Sequence, residues 1–135
     1  LFIGSSPRSF ANEGPTCSVG SLQGAYGFTV GIIVLPSSTP RGVVGRFSFD
    51  GKGNWTNSLT MNDAGMIRKI NDFGTYVVNP DCTGTLYPQT GAKGTIEIVL
   101  VDGGNEFYEL RTDPPSFVFL VNAAKKQHKL NGPEN

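Results

Sequence analysis

Histidine and cysteine are scarce in this sequence of 135 residues, which has one histidine, His128, and two cysteines, Cys17 and Cys82. So few imidazole and thiolate ligands exclude a Cys/His zinc cluster and argue against a histidine-rich metal site. The phosphate-binding loop, the dinucleotide-binding fingerprint and the nucleophile elbow are also missing. We therefore expect no cofactor and no metal. Whether the protein is an enzyme stays open at this point.

Charge is low and balanced. Charged residues make up 16% of the chain, with 11 basic and 11 acidic side chains, whereas a typical domain has about 25% charged residues. Nucleic-acid binding needs a basic surface that meets the phosphates, so we expect no nucleic-acid partner. The longest apolar runs, 31–36 and 96–101, are strand-length. A membrane span needs roughly 18 residues, so we expect no span of that kind.

The first residues of the chain are rich in Ser, Gly, Pro and Asn, and the sequence begins with leucine. We interpret residues 1–16 as a flexible N-terminal arm that follows a removed signal peptide. Cys17 and Cys82 are expected to form a disulfide that ties this arm to one end of a sheet; two buried free thiols are the alternative. Because disulfides persist in oxidising compartments, the pair predicts a secreted or periplasmic protein.

Glycine and proline are abundant, with 18 and 9 residues, which indicates many turns. Between the turns, apolar residues alternate with polar or small ones, as in a strand; Tyr26–Val34 is the clearest case. Turns such as Asp50–Asn54 and Asp102–Asn105 predict hairpins. The pattern predicts an all-β domain over residues 17–124 and a polar C-terminal tail over 125–135. We expect an eight- to nine-stranded antiparallel meander closed into a small barrel, with a β-sandwich as the alternative.

Two of the predicted strands, 94–101 and 116–124, are apolar on both faces. A barrel wall that faces water needs apolar residues on one face only, so the second face requires a cover. We expect that cover to be another copy of the chain, which predicts a homo-oligomer, either a trimer or a dimer. Coverage by the chain's own arm or by a ligand is the alternative.

Three stretches carry a resemblance to known proteins. Residues 17–28 (CSVGSLQGAYGF) resemble the opening of a group of small exported bacterial proteins of uncharacterised role. Residues 45–54 (GRFSFDGKGN) and 74–86 (GTYVVNPDCTGTL) fit the same group, and the likeness spans residues 17–124. It marks a fold and includes no shared catalytic motif.

The order of strand, Asp-Gly turn, strand and Gly-Thr-Tyr is similar to that of the allene oxide cyclase and dirigent barrels. Those families are eight-stranded calycin-like folds that form trimers and direct the cyclisation or coupling of reactive apolar molecules without a cofactor. The resemblance implies a calycin-like barrel. No working residue of those families is carried over to this chain, and a shared fold is a weak guide to function.

The candidate site residues lie on predicted strands among apolar neighbours. Arg46 and Glu97 are the candidate catalytic residues, because an inward carboxyl group suits acid–base work and an inward arginine would hold a carboxylate or an enolate. The alternative is that both residues face solvent. The candidate ligand-binding residues are aromatic: Tyr26, Phe28, Phe47, Tyr76, Tyr108 and Phe119.

Three functions fit this pattern. The first is binding of an apolar small molecule inside an exported barrel. The second is a cofactor-independent cyclase or isomerase of the same architecture, which would shape a reactive apolar substrate and place one or two polar groups against it. The third is a structural or assembly module whose core is filled. An interior cavity distinguishes the first two from the third, and an inward ionisable pair favours the enzyme.

Overall fold

Eight strands follow one another through residues 16–128, the part of the chain that the computed structural model describes. They are β1 (Gln23–Val34), β2 (Thr39–Asp50), β3 (Asn54–Asp63), β4 (Met66–Val78), β5 (Thr83–Pro88), β6 (Thr95–Val101), β7 (Glu106–Asp113) and β8 (Phe117–Lys126). Each strand pairs antiparallel with the next, and β8 pairs with β1 to close the barrel. This confirms the predicted meander barrel, and the sandwich alternative is wrong.

Most of the predicted arm, residues 1–15, lies outside the described residues, as does the tail beyond His128. β8 ends at Lys126 and so continues two residues past the predicted end of the domain. The extension forms because Lys125 pairs with Glu106 on one side and Lys126 pairs with Tyr26 on the other. Within residues 16–128, no helix has the length and apolar character needed to cross a membrane.

The inner face of the barrel follows the predicted alternation. On β1, Tyr26, Phe28, Val30 and Ile32 are buried, and the residues between them are more exposed. β2 repeats the pattern and pairs with β1 so that inward residues of the two strands lie side by side. Successive side chains of a strand point to opposite faces, and paired residues of neighbouring strands share a face. The register between two strands therefore determines which residues of both face the interior.

The outer face carries an apolar patch on β6, β7 and β8. Val99 and Tyr108 are paired on neighbouring strands, and both are about half exposed. Leu110 and Leu120 are also exposed, and Val121 is 90% exposed. We call these five residues the outer apolar patch. On β6 one apolar face packs inside and the other remains on the surface; on β8 the register with β1 shifts at Leu120 and Val121, and both of these consecutive residues are exposed.

At Gly74 the Trp55 ring packs directly against the backbone of the barrel wall. A Cβ atom at Gly74 would lie 2.2 Å from the carbonyl oxygen of Tyr87 and 2.8 Å from the ring. The Trp55 indole N–H donates to the carbonyl oxygen of Thr75 at 2.9 Å. Glycine is therefore required here for the close approach of an aromatic side chain to the wall.

Candidate functional site

One end of the barrel is closed by the segment that precedes β1. A short 3-10 turn, Val19–Ser21, leads into Leu22, which is fully buried. The Tyr76 hydroxyl donates to the carbonyl oxygens of Val19 and Leu22, each at 2.9 Å. The Tyr26 hydroxyl donates to a carbonyl oxygen in the second 3-10 turn, between β6 and β7. Burial raises the pKa of both phenols, so each serves as a neutral donor that fastens the closed end.

A disulfide between Cys17 and Cys82 fastens the same segment, as predicted, with the two Cα atoms 5.0 Å apart. The backbone N–H of Cys17 also donates to the carbonyl oxygen of Pro80 at 3.0 Å. The bridged residues are 65 positions apart, and the chain-entropy model gives about 4 kcal/mol for a loop of that length. The disulfide is compatible with an oxidising, extracellular compartment.

Aromatic rings fill the interior next to the closed end. The ring of Phe49 lies 5.3 Å from that of Tyr26, 5.4 Å from that of Phe47 and 5.7 Å from that of Phe107, between centroids. Phe47 extends the cluster to Phe28, with centroids 4.5 Å apart. Such pairs add about 0.5–1.5 kcal/mol each beyond burial of their area. This part of the interior is a filled core.

A cavity of about 90 Å³ remains beside the aromatic cluster. Its wall is mostly apolar, formed by Phe28, Val30, Val43, Phe47, Trp55, Leu59, Pro88, Ile96 and Phe119. Its polar residues are Asn57, Asp72, Glu109 and Arg111. A cavity of about 150 Å³ holds benzene. By that scale this one has room for roughly four non-hydrogen atoms.

Glu109 is the most perturbed group of the cavity. It faces inward because it pairs with Ile98 of β6, whose side chain is buried in the interior. The residue is 6% exposed, and none of the described residues donates a hydrogen bond to its carboxyl group. Burial raises the pKa of Glu109 to about 7, although the positive charge of Arg111 lowers it. The carboxyl group is therefore divided between its neutral and ionised forms near neutral pH.

Two polar side-chain atoms of the lining are fully buried without a hydrogen-bond partner among the described residues: Oδ1 of Asn57 and Nε of Arg111. The Nη1 of Arg111 donates to the carbonyl oxygen of Asp113 at 2.8 Å, and its guanidinium lies 5.7 Å from the centre of the Phe117 ring. A buried polar atom that makes no hydrogen bond costs about 1–3 kcal/mol. Three unpaired groups on one small cavity are therefore suited to hold a polar molecule.

The charges around the cavity partly cancel. Burial lowers the pKa of Arg111, while the carboxylates of Asp72 and Glu109 act in the opposite direction. Asp72 is half-buried and accepts a hydrogen bond from the Thr90 hydroxyl at 2.7 Å. Arg111 faces the carboxylates of both Asp72 and Glu109, so these three groups of the wall carry a net charge of −1 when Glu109 is ionised.

The wall beside Glu109 is only partly joined by backbone hydrogen bonds. β7 and β8 pair at Glu106 with Lys125 and at Phe107 with Ala124, and the paired register of the two strands ends there. Beyond that point the side chain of Asn122 takes over: its Oδ1 accepts from the Glu109 N–H at 2.9 Å, and its Nδ2 donates to the Glu109 carbonyl at 2.7 Å. We call this stretch of β7 and β8, from Glu109 to Asn122, the seam; here one side chain, that of Asn122, holds the backbone of Glu109 to β8.

The structure does not bring the candidate catalytic residues together. Arg46 on β2 and Glu97 on β6 are both exposed on the outer face. The Thr85 hydroxyl donates weakly to the Glu97 carboxylate at 3.4 Å. The alternative that both residues face solvent describes them, because the inward positions of these strands belong to Phe47 and to Ile96.

The six candidate ligand-binding residues separate into three groups. Phe28, Phe47 and Phe119 line the cavity. Tyr26 and Tyr76 are buried at the closed end, where their hydroxyls are engaged by backbone carbonyls. Tyr108 lies on the outer face and is 46% exposed, so its predicted place inside is wrong.

Sequence reasoning missed the polar residues of the cavity. Asn57, Asp72 and Arg111 were not candidates, and Glu109, although its place on the face of Phe107 and Arg111 can be read from the sequence, was not chosen as a site residue. The available signal was the spacing of Phe107, Glu109 and Arg111 at every second position. In a strand this spacing places the carboxyl group and the guanidinium on the same face of the sheet as the phenyl ring. Among residues 16–128, no group of three or more His, Cys, Asp or Glu side chains is arranged to hold a metal ion.

Comparison with protein-family models, with curated proteins and with solved structures found no match for this chain. The resemblance to small exported bacterial proteins and to the allene oxide cyclase and dirigent barrels therefore gains no support beyond the barrel itself. Function has to be argued from the cavity.

Proposed function

We propose that the barrel binds a small organic molecule in its interior cavity, with an apolar body against the aromatic wall and one polar group at Glu109. The observation that carries this proposal is the unpaired, buried Glu109 carboxyl group facing a cavity lined by phenyl rings. A pocket of this kind, mainly apolar with a few convergent polar groups, is typical of ligand sites.

The cavity limits the size and affinity of what it holds. About four non-hydrogen atoms fit, and the best small ligands gain about 1.5 kcal/mol per atom. The binding free energy then reaches at most about −6 kcal/mol, a Kd of about 40 µM. Because Asp72, Arg111 and Phe119 are only partly buried, a longer molecule would place its head in the cavity and its tail toward solvent on that side.

Binding is tested with three three-carbon probes, 1-propanol, propylammonium chloride and sodium propionate, followed by NMR shift changes in uniformly labelled protein. At least one probe is expected to bind the wild type and to shift resonances around Phe28 and Phe119. Val43→Phe, which fills the cavity, is expected to abolish that binding. Val44→Phe, the matched control on the outer face of the same strand, is expected to leave it unchanged. Failure of all three probes at molar excess would contradict the proposal.

A cofactor-independent isomerase or cyclase is the second candidate, and Glu109 is the observation that favours it. A carboxyl group with a pKa of about 7 exchanges a proton readily at neutral pH. Arg111, on the same strand face, would stabilise a developing enolate. In this function Glu109 takes the role first assigned to Glu97. Turnover of any substrate should then depend on pH with a midpoint near 7 and be lost in Glu109→Gln.

We further propose that the protein is exported and forms a homo-oligomer. Export is supported by the disulfide, which is stable in an oxidising compartment. Oligomerisation is supported by the outer apolar patch, because several large apolar residues exposed on neighbouring strands are typical of contact surfaces. Light scattering of the purified protein gives the number of subunits directly, and a monomer at all concentrations would contradict this proposal.

A further inference from the structure

We propose that the ligand's polar group is an ammonium, so that the cavity takes a small aliphatic amine in its charged form. The ammonium would donate hydrogen bonds to the Glu109 carboxylate and to Oδ1 of Asn57, and its carbon chain would contact the surrounding rings. This inference rests on the proposed function and adds the chemical class of the molecule bound.

The first argument is the balance of donors and acceptors in the lining. Glu109 offers two carboxylate oxygens, and Asn57 is 8% exposed with an unpaired Oδ1. Among the described side-chain atoms that are fully buried, Nε of Arg111 is the only donor without a partner, while the amide of Asn57 and the guanidinium of Arg111 carry further N–H groups. A group with several N–H donors satisfies the acceptor oxygens of Glu109 and Asn57. A carboxylate on the ligand would leave Asn57 Oδ1 without a donor. It would also be repelled by the negative charges of Asp72 and Glu109.

The second argument is charge. The titratable residues in the cavity wall are Asp72 on β4 and Glu109 and Arg111 on β7; the other strands contribute none to the lining. Asp72 and Arg111 offset each other. With Glu109 ionised, the three groups carry a net charge of −1, and a bound cation would neutralise it.

The third argument is the aromatic character of the wall. Phe28, Phe47, Trp55 and Phe119 line the same cavity, and the faces of such rings attract organic cations. The space is limited to roughly four non-hydrogen atoms, by comparison with the cavity that holds benzene. Propylammonium, with three carbons and one nitrogen, matches that size.

Binding of a cation and ionisation of Glu109 are then linked. An alkylammonium stays protonated below about pH 10, so the pH dependence of its binding follows Glu109. With a midpoint of about 7, the fraction of ionised Glu109 falls to about 3% at about pH 5.5. Propylammonium should therefore bind about thirty-fold more weakly at about pH 5.5 than at about pH 8.5. 1-Propanol, a neutral probe of equal size, should show no such change.

The experiment is an NMR titration of wild-type protein with propylammonium chloride, 1-propanol and sodium propionate at both pH values, at constant ionic strength and in buffers without primary amines. Propylammonium is expected to be the tightest probe at high pH and to lose its advantage at low pH. Glu109→Gln should remove the pH dependence of propylammonium binding. Asn57→Ala should weaken propylammonium several-fold while Glu97→Gln, an exposed control on β6, changes nothing.

The outcomes separate the two proposals. If 1-propanol or propionate binds in the cavity as tightly as propylammonium at high pH, the amine inference is overturned while the binding function stands. If propylammonium binds equally at both pH values, the role of Glu109 is overturned. If no probe binds, the proposed function fails and this inference fails with it.

Discussion

Replacing Glu109 by Gln should make the protein more stable at neutral and alkaline pH. The change keeps the size of the side chain and removes its charge, so the buried group no longer has to ionise in the folded state. The wild-type carboxyl group is 6% exposed, and burial raises its pKa to about 7 from an ordinary 4.5. A raised pKa of a carboxyl group in the folded protein means that ionisation favours the unfolded chain.

The pH window follows from those two values. Below about pH 4.5 Glu109 is neutral in both states, so its effect on stability is absent. Between about pH 4.5 and 7 it ionises only in the unfolded chain, and stability falls. Above 7 the loss is complete and amounts to about 3 kcal/mol, at 1.36 kcal/mol per pH unit. For a chain of this size that corresponds to roughly 10 °C in Tm.

Urea unfolding of the wild type and of Glu109→Gln, followed from about pH 4 to 9, measures this effect. The difference between the two proteins should be small at the acidic end, grow through pH 4.5–7 and then level off. Glu97→Gln, which removes an exposed carboxyl group of the same kind, should follow the wild type throughout. A difference between Glu109→Gln and wild type that does not change with pH would refute the reasoning.

The remaining predictions concern the barrel wall and its surface. Reduction of the disulfide should lower the free energy of unfolding by about 4 kcal/mol, which urea unfolding with and without reductant measures. Gly74→Ala should lower Tm strongly because its Cβ meets backbone and ring atoms, whereas Gly42→Ala, where a Cβ meets nothing within 4 Å, should change Tm little. Val121→Lys should dissociate the proposed oligomer in light scattering while Val44→Lys does not; dissociation by both would indicate a general charge effect. Asn122→Ala should cost about 1–3 kcal/mol, since two backbone groups of the seam lose their partner.

The course of the chain could be predicted from the sequence because turns and alternation are both local. Asp50–Asn54 forms a hairpin since the Asp50 carboxylate accepts from the backbone N–H groups of Lys52 and Asn54, at 2.7 and 3.0 Å. Residues 26–32 alternate, and the structure buries Tyr26, Phe28, Val30 and Ile32. Where one face is clearly apolar, a strand can face the interior in only one way.

The polar residues of the cavity could not be predicted because β6 and β7 are ambiguous in this respect. β6 has Ile96 and Ile98 on one face and Val99 on the other, so its own pattern does not decide where Glu97 points. β7 carries apolar and charged residues on both faces. Its orientation is set by pairing of Ile98 with Glu109, a contact between strands that the sequence pattern of either strand alone does not contain.

The oligomer was predicted from the same two-faced strands, and it stays a prediction. The structure adds that the second face is an exposed patch of Val99, Tyr108, Leu110, Leu120 and Val121. It also adds the seam between β7 and β8, which no turn or alternation signal marks. There the Asn122 side chain takes the place of hydrogen bonds between the two backbones, and this arrangement exists only in the closed barrel.

The most direct test of a ligand site at Glu109 is a carbon-13 NMR titration of its carboxyl group, with and without propylammonium. The free protein should titrate with a midpoint of about 7. At a propylammonium concentration about thirty times its Kd, the midpoint should fall by about 1.5 pH units, because the cation binds the ionised form. A midpoint near 4.5, or one that the amine does not move, would contradict the claim that this buried carboxyl group faces a cavity that takes such a molecule.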